Sequence, residues 1–158
     1  MWPPTGQAGE GCARATTLRE LTSEAIPALE ARFGLAPARR AICGYSLGGL
    51  FSLYAFTQDV YFSACACLSG SLWYPGWVDH LRKASLAGAG RYAYFSVGKK
   101  ERKAGPPIMH TVQDDMEACA QVCRERGCEV DVTVGPGNHM QHHTERLAAG
   151  LATLDAFL

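Results

Sequence analysis

The sequence predicts an α/β fold: about four mostly parallel strands flanked by helices, in a single domain spanning 1–158. Three observations carry this. Short apolar runs occur at 40–44, 62–69, 92–97 and 129–134, each ending in turn residues. Each run is followed by a segment with helical spacing, and a strand–helix alternation of this kind builds parallel crossover units. The first run ends in a glycine-rich hinge, GYSLGG, where the spacing changes from strand to helix. A chain of 158 residues is long enough to bury one core.

Taken in order, residues 1–15 are rich in proline and glycine and are expected to be coil. Leu18, Leu21, Ala25, Ile26, Leu29 and Phe33 then recur at the spacing of one helix face. Thr16 or Thr17 is the expected cap, Glu20 completes a capping box, and Gly34 stops the helix. Pro27 inside this pattern implies a kink or a later start. The first apolar run follows, then helices at 47–56, 76–86, 109–126 and 143–157 between and after the remaining runs. The sequence contains neither an internal repeat nor a low-complexity tract.

Composition removes several classes of function. Fifteen basic and fifteen acidic side chains cancel, without a basic stripe or acidic tail, so neither nucleic acid nor a membrane surface is an expected partner. The N-terminus lacks the positive-then-apolar pattern of a leader, and no uncharged run approaches the roughly 20 residues that span a bilayer. The chain therefore reads as soluble and cytoplasmic. Seven cysteines are an odd count, and most fall within strand or helix patterns, which argues against a disulfide framework. Cys119, Cys123 and Cys128 lack paired zinc-ligand spacing. His139, His142 and His143 are close in sequence, as are His110 and Asp114, but adjacent histidines diverge; no metal and no cofactor is expected.

The chemistry concentrates at the hinge. A serine that attacks a carbonyl must stand clear of the sheet, and a sharp strand-to-helix turn achieves this if the residues two places away are small. Gly44 and Gly48 flank Ser46 in that way, and the N–H of Leu47 opens the helix as a candidate oxyanion donor. In this arrangement an acid and then a histidine follow in chain order, on loops after later strands. His139 sits in GPGNH after the last run and is the candidate general base. Glu101 follows the penultimate run and is the leading candidate acid, with Asp114 and Asp115 as fallbacks.

Four separated segments, CGYSLGGLFSLYAF, CLSGSLWYPGW, YFSVGKKERK and GPGNHMQHHTERLAAGLATL, resemble the esterase branch of the α/β-hydrolase superfamily. That branch includes the esterase D and enterobactin-type siderophore esterase groups. The resemblance runs from about Leu18 to the C-terminus and implies a partial α/β-hydrolase fold without its N-terminal strands. It further implies a serine hydrolase that cleaves carboxylic esters through an acyl-enzyme, with Ser46 as nucleophile and His139 on the last loop. Glu101 matches the acid position, although some siderophore esterases work with a Ser–His pair alone. Tyr45 and Trp73 are the expected substrate contacts, Trp73 beside the acyl or leaving-group pocket or else as an aromatic core anchor.

Such enzymes carry several strands before the hinge, so this chain is expected to leave its first strand with an open edge. Open edges promote self-association, and a homo-oligomer or a fragment of a larger protein is anticipated. The expected partner at the site is a small-molecule ester. The competing expectation is a catalytically inactive remnant that acts, if at all, as a binding module.

Overall fold

The computed structural model describes residues 15–103 and 105–158. Its elements are helix α1 (Ile26–Phe33), strand β1 (Ala41–Tyr45), α2 (Leu47–Gln58), β2 (Ala64–Leu68), α3 (Trp77–Lys83), β3 (Tyr92–Gly98), α4 (Val112–Glu125), β4 (Glu129–Gly135) and α5 (His143–Phe157). Two 3-10 turns, Glu101–Lys103 and Pro107–Thr111, lie between β3 and α4. All four predicted strands form, within two residues of their expected ends.

The strands lie in the order β1-β2-β3-β4, every pair parallel. When consecutive parallel strands are added in one direction through right-handed crossovers, the intervening helices all fall on one face. The side chains follow that rule. Leu53 and Phe56 of α2, Trp77 and Leu81 of α3, and Met116 and Cys119 of α4 share one core with Cys65, Cys67, Phe95 and Val97. Helix α5 comes after the last strand and returns across the opposite face, where Leu147, Leu154 and Phe157 meet Ala66, Leu68, Tyr92 and Tyr94. Gly150 permits this close packing, since a Cβ there would meet the Leu68 side chain at 2.9 Å.

Alanine and cysteine dominate β2, which is buried along its whole length between the two layers. Strand β4 is an edge strand in which Glu129, Asp131 and Thr133 are exposed and alternate with the partly buried Val130 and Val132, the pattern of a half-covered strand, while Val134 at its end is exposed. Strand β1, the other edge, carries no charged residue in AICGY.

The N-terminal helix departs from expectation in two ways. Residues 1–14 lie outside the described residues, but Ala15 is already helical, so the coil does not reach it. Thr16 and Thr17 are therefore inside the helix rather than capping it. Nor does Pro27 break the helix. A proline lacks an N–H and crowds the carbonyl four residues back, and the chain accommodates this by widening into a π-helical segment over Leu21–Ala25, with the Ile26 N–H donating to the Leu21 carbonyl. The hydroxyls of Thr22 and Ser23 donate to the carbonyls of Leu18 and Arg19 at 2.9 and 2.6 Å. Gly34 ends the helix at φ 63°, as expected. A bidentate pair from Arg40 to Glu30, at 2.7 and 2.9 Å, fixes α1 against the start of β1.

Among the described residues, no helix is long and apolar enough to cross a membrane. The six described cysteines carry free thiols.

Candidate active site

Parallel registers that pair Tyr45 with Leu68, Leu68 with Ser96 and Gly98 with Gly135 align the carboxyl ends of all four strands. The segments leaving those ends therefore gather along one rim, where ligands bind in open α/β sheets. Ser46 leaves β1, Ser69 leaves β2, Glu101 follows β3 and His139 follows β4.

Ser46 joins β1 to α2 with φ 59° and ψ −121°, a conformation that is costly for a residue bearing a side chain. The turn is held by the Ser46 N–H donating to the Leu68 carbonyl, and by the Ser46 carbonyl accepting from Leu50 and Ser71. It closes because Gly44 has no side chain: a Cβ there would overlap the carbonyl of Gly48 and lie 2.6 Å from the Ser52 hydroxyl. Gly48 itself is under no such constraint, since a Cβ on it would meet nothing within 4 Å among the described residues. The steric requirement expected at both glycines thus operates at Gly44. Gly49 brings α2 onto the next loop, where its Cβ would meet Gly70 at 3.0 Å.

The loop after β4 carries His139 back over the rim. Lys99 and Lys100 donate their N–H groups to the carbonyls of Gly135 and Gly137 at 2.9 and 3.0 Å, tying this loop to the one after β3. His139 Nε2 then lies 3.0 Å from Ser46 Oγ, and its Nδ1 lies 2.9 Å from Glu101 Oε2. Glu101 is 4% exposed. Its other oxygen, Oε1, accepts from the Ser69 hydroxyl and the Gly98 N–H, both at 2.7 Å. Burial pushes this carboxyl up, but hydrogen bonds from His139, the Gly98 N–H and Ser69 outweigh burial and hold it below the ordinary carboxylate value.

Of the three acids considered from the sequence, the structure brings Glu101 to the histidine. Asp114 pairs with Arg102 at 4.0 Å, and Asp115 sits on α4, where burial raises its carboxyl. The neighbouring histidines face elsewhere: His142 Nδ1 lies 3.4 Å from Glu145 and His143 Nδ1 lies 3.3 Å from the Met140 carbonyl. Among the described residues no cluster of three or more His, Cys, Asp or Glu side chains is arranged to hold a metal. Burial pushes the Cys119 thiol up to about 12 and Cys65 and Cys67 higher, so these thiols are not ionised nucleophiles.

Beside the serine is a cavity of about 260 Å³, walled by Trp73, Met109, Val112 and Met140 with Ser71 and Asn138 at its polar edge. Trp73 lines the cavity and also packs against the core, so both positions expected of it are occupied by one side chain. Tyr45 is absent from the cavity wall, and its hydroxyl donates to the His139 carbonyl at 2.6 Å while accepting from Arg146 at 2.8 Å. The expected substrate contact is thus a brace for the histidine loop. Leu47, at the first turn of α2, has an N–H outside the i→i−4 ladder, as the oxyanion reading needs.

Four residues in or behind the site went unread in the sequence. Ser69 resembles any loop serine, yet it is buried with φ 43° and bonds Glu101. Met109 and Val112 fell in a helix pattern that Pro106 and Pro107 convert into a 3-10 turn before α4 begins. Arg146 had a visible signal, a charge on the same helical stripe as Gly150 and Leu154.

The four parallel strands, their flanking helices and this rim make up a partial α/β-hydrolase fold. Residues 2–154 match the family described as "Putative esterase", and the chain belongs to that family. An uncharacterized Bacillus subtilis protein, YbbA, is 26% identical over 117 residues, covering 72% of this chain and 47% of its own length. Among solved structures, the siderophore hydrolase EstA from Aspergillus nidulans is similar with a TM-score of 0.74 at 18% identity, over 91% of this chain and 58% of its own. The enterobactin esterase FES from Shigella flexneri gives a TM-score of 0.73 at 20% identity, over 89% of this chain and 38% of its own. At these identities the structural likeness is one of fold. The chain spans about half the length of the curated relative it matches.

Proposed function

We propose that the protein is a serine hydrolase that cleaves a carboxylic ester through an acyl-enzyme, using Ser46, His139 and Glu101. The observation that supports this most directly is the unbroken chain of contacts, 3.0 Å from Ser46 Oγ to His139 Nε2 and 2.9 Å from Nδ1 to Glu101. A carboxylate held ionised opposite Nδ1 keeps the proton on that nitrogen and leaves Nε2 as the acceptor. Nε2 takes the Ser46 proton as the oxygen attacks the ester carbonyl, and the Leu47 N–H stabilises the oxyanion. The imidazolium returns the proton to the departing alcohol, and water activated through the same nitrogen releases the acid. No cofactor enters the cycle.

The cavity favours an uncharged acyl group of modest size. Its walls are apolar, and the carboxylate at its edge, Glu101, is already engaged by His139, Ser69 and Gly98. Hydrolysis of p-nitrophenyl acetate, butyrate and octanoate by the wild type and by Ser46→Ala tests the proposal. Wild-type turnover that favours the shorter esters and disappears in Ser46→Ala is expected. Folded wild-type protein without turnover would instead favour a non-catalytic remnant. As partner beyond substrate, we propose a second copy of the chain at β1, whose outer edge has no neighbouring strand among the described residues and carries no charge to prevent pairing.

A further inference from the structure

Helix α5 buries a guanidinium. Arg146 is 6% exposed, on the stripe that packs against β2. Removing such a charge from water costs several kcal/mol unless its donors are met, so the destinations of its bonds are informative. Every one runs to the rim. Nη2 donates to the carbonyls of Pro136 and Asn138 at 2.7 and 3.3 Å, on the loop that carries His139. Nη1 donates to the Tyr45 hydroxyl at 2.8 Å and to Ser69 Oγ at 3.3 Å, and lies 3.6 Å from Glu101 Oε1. Tyr45 passes the restraint on, donating to the carbonyl of His139 itself at 2.6 Å.

The surrounding backbone is shaped to admit this side chain. A Cβ on Gly98 would overlap Arg146 Nη2 and come within 2.6 Å of the Gly137 carbonyl, so the last residue of β3 leaves room for guanidinium and loop together. Gly150, one turn along α5, lets the helix lie against Leu68. The arrangement is not tuned for stability alone, because Arg146 Nε is buried with no hydrogen-bond partner among the described residues.

We propose that Arg146 is the positioning residue of this site: it clamps the carbonyls of Pro136 and Asn138 and, through Tyr45, that of His139, which keeps the imidazole within reach of Ser46. The proposal rests on the reading of Ser46 and His139 as a catalytic pair. Arg146 does not line the cavity and acts through the histidine loop, so its loss changes turnover rather than substrate affinity.

The test compares kcat and KM on p-nitrophenyl butyrate for the wild type, Arg146→Met, Arg146→Lys and Tyr45→Phe, with melting curves for each. A displacement of about 1 Å at a reacting group can cost roughly 100-fold in rate, so Arg146→Met should lose about that much kcat with KM within about twofold. Arg146→Lys should recover at least about a tenth of wild-type kcat, because an ammonium can still bond a loop carbonyl. Tyr45→Phe deletes one hydroxyl and should lose several-fold in kcat, again with KM unchanged. If Arg146→Met does not fold, the other two variants decide the matter. Variants that melt earlier yet keep wild-type kcat below their melting range would make Arg146 a mere brace for α5 and overturn the proposal, as would a Lys variant no better than Met. An inactive, folded wild type would refute the catalytic reading itself, whereas an active wild type indifferent to these changes refutes only the role of Arg146.

Discussion

Replacing Glu101 by glutamine alters one atom of the site and, through it, the tautomer of His139. Oε1 accepts two hydrogen bonds at 2.7 Å, from the Ser69 hydroxyl and the Gly98 N–H, with the Arg146 guanidinium 3.6 Å away. In Glu101→Gln the amide oxygen must occupy that position, because the amide nitrogen has no lone pair to offer three donors. The NH2 group then replaces Oε2 and donates toward His139 Nδ1. That nitrogen becomes the acceptor, the ring proton moves to Nε2, and Nε2 donates toward Ser46 when it should accept the serine proton. Where an acid-to-amide change forces the wrong tautomer in a serine–histidine–acid site, kcat falls about 10⁴-fold, or roughly 5.5 kcal/mol. The expected loss here is about 10³- to 10⁴-fold, read as kcat on p-nitrophenyl butyrate at neutral pH, with circular dichroism confirming the fold. Activity within tenfold of wild type would refute the reasoning, and would mean that Ser46 and His139 operate as a pair without help from the acid.

Other outcomes follow from the same geometry. Because the folded Glu101 carboxyl lies below its ordinary value of 4.5, its contribution to stability is present above that pH and is lost as pH falls through the folded value. The unfolding free energy of the wild type should therefore exceed that of Glu101→Gln at neutral pH by a margin that shrinks below pH 4.5; a pH-independent margin would contradict this. Gly44→Ala places a Cβ against the backbone carbonyl of Gly48, which cannot rotate away, and should cost about 2–3 kcal/mol, a fall of roughly 5–10 °C in Tm. Gly48→Ala meets nothing within 4 Å among the described residues, and alanine is the better helix former by about 0.5–1 kcal/mol, so Tm should hold or rise. Equal effects of the two substitutions would overturn the steric reading of the turn. Light scattering across a concentration series should show mass growing from monomer to dimer through the β1 edge, and a constant monomer mass would remove that proposal.

Much of this was legible in the residues, for identifiable reasons. Strands buried on both faces need unbroken apolar runs, so ACACL and YAYFSVG announced themselves. The meeting of Ser46, His139 and Glu101 was legible because the segments that leave the carboxyl ends of parallel strands must gather on one rim, and the three side chains do lie together there. What stayed hidden depends on contacts that no local pattern encodes. Tyr45 alternates along β1 like any aromatic, and only the return of α5 reveals that its hydroxyl bonds Arg146 rather than lining the cavity. The threonines before Leu18 look like caps because the helix signal weakens upstream of them, yet the helix continues through Ala15. Pro27 signalled a break, but the chain had a third option in widening the helix ahead of the proline.

The central claim is that the Ser46 hydroxyl is activated by His139, and covalent labelling tests it most directly. Incubated with a fluorophosphonate at neutral pH and digested for mass spectrometry, the wild type should carry a single adduct on Ser46, formed far faster than in His139→Ala and absent from Ser46→Ala. Folded wild-type protein that stays unlabelled, or labels equally fast without His139, would contradict the claim.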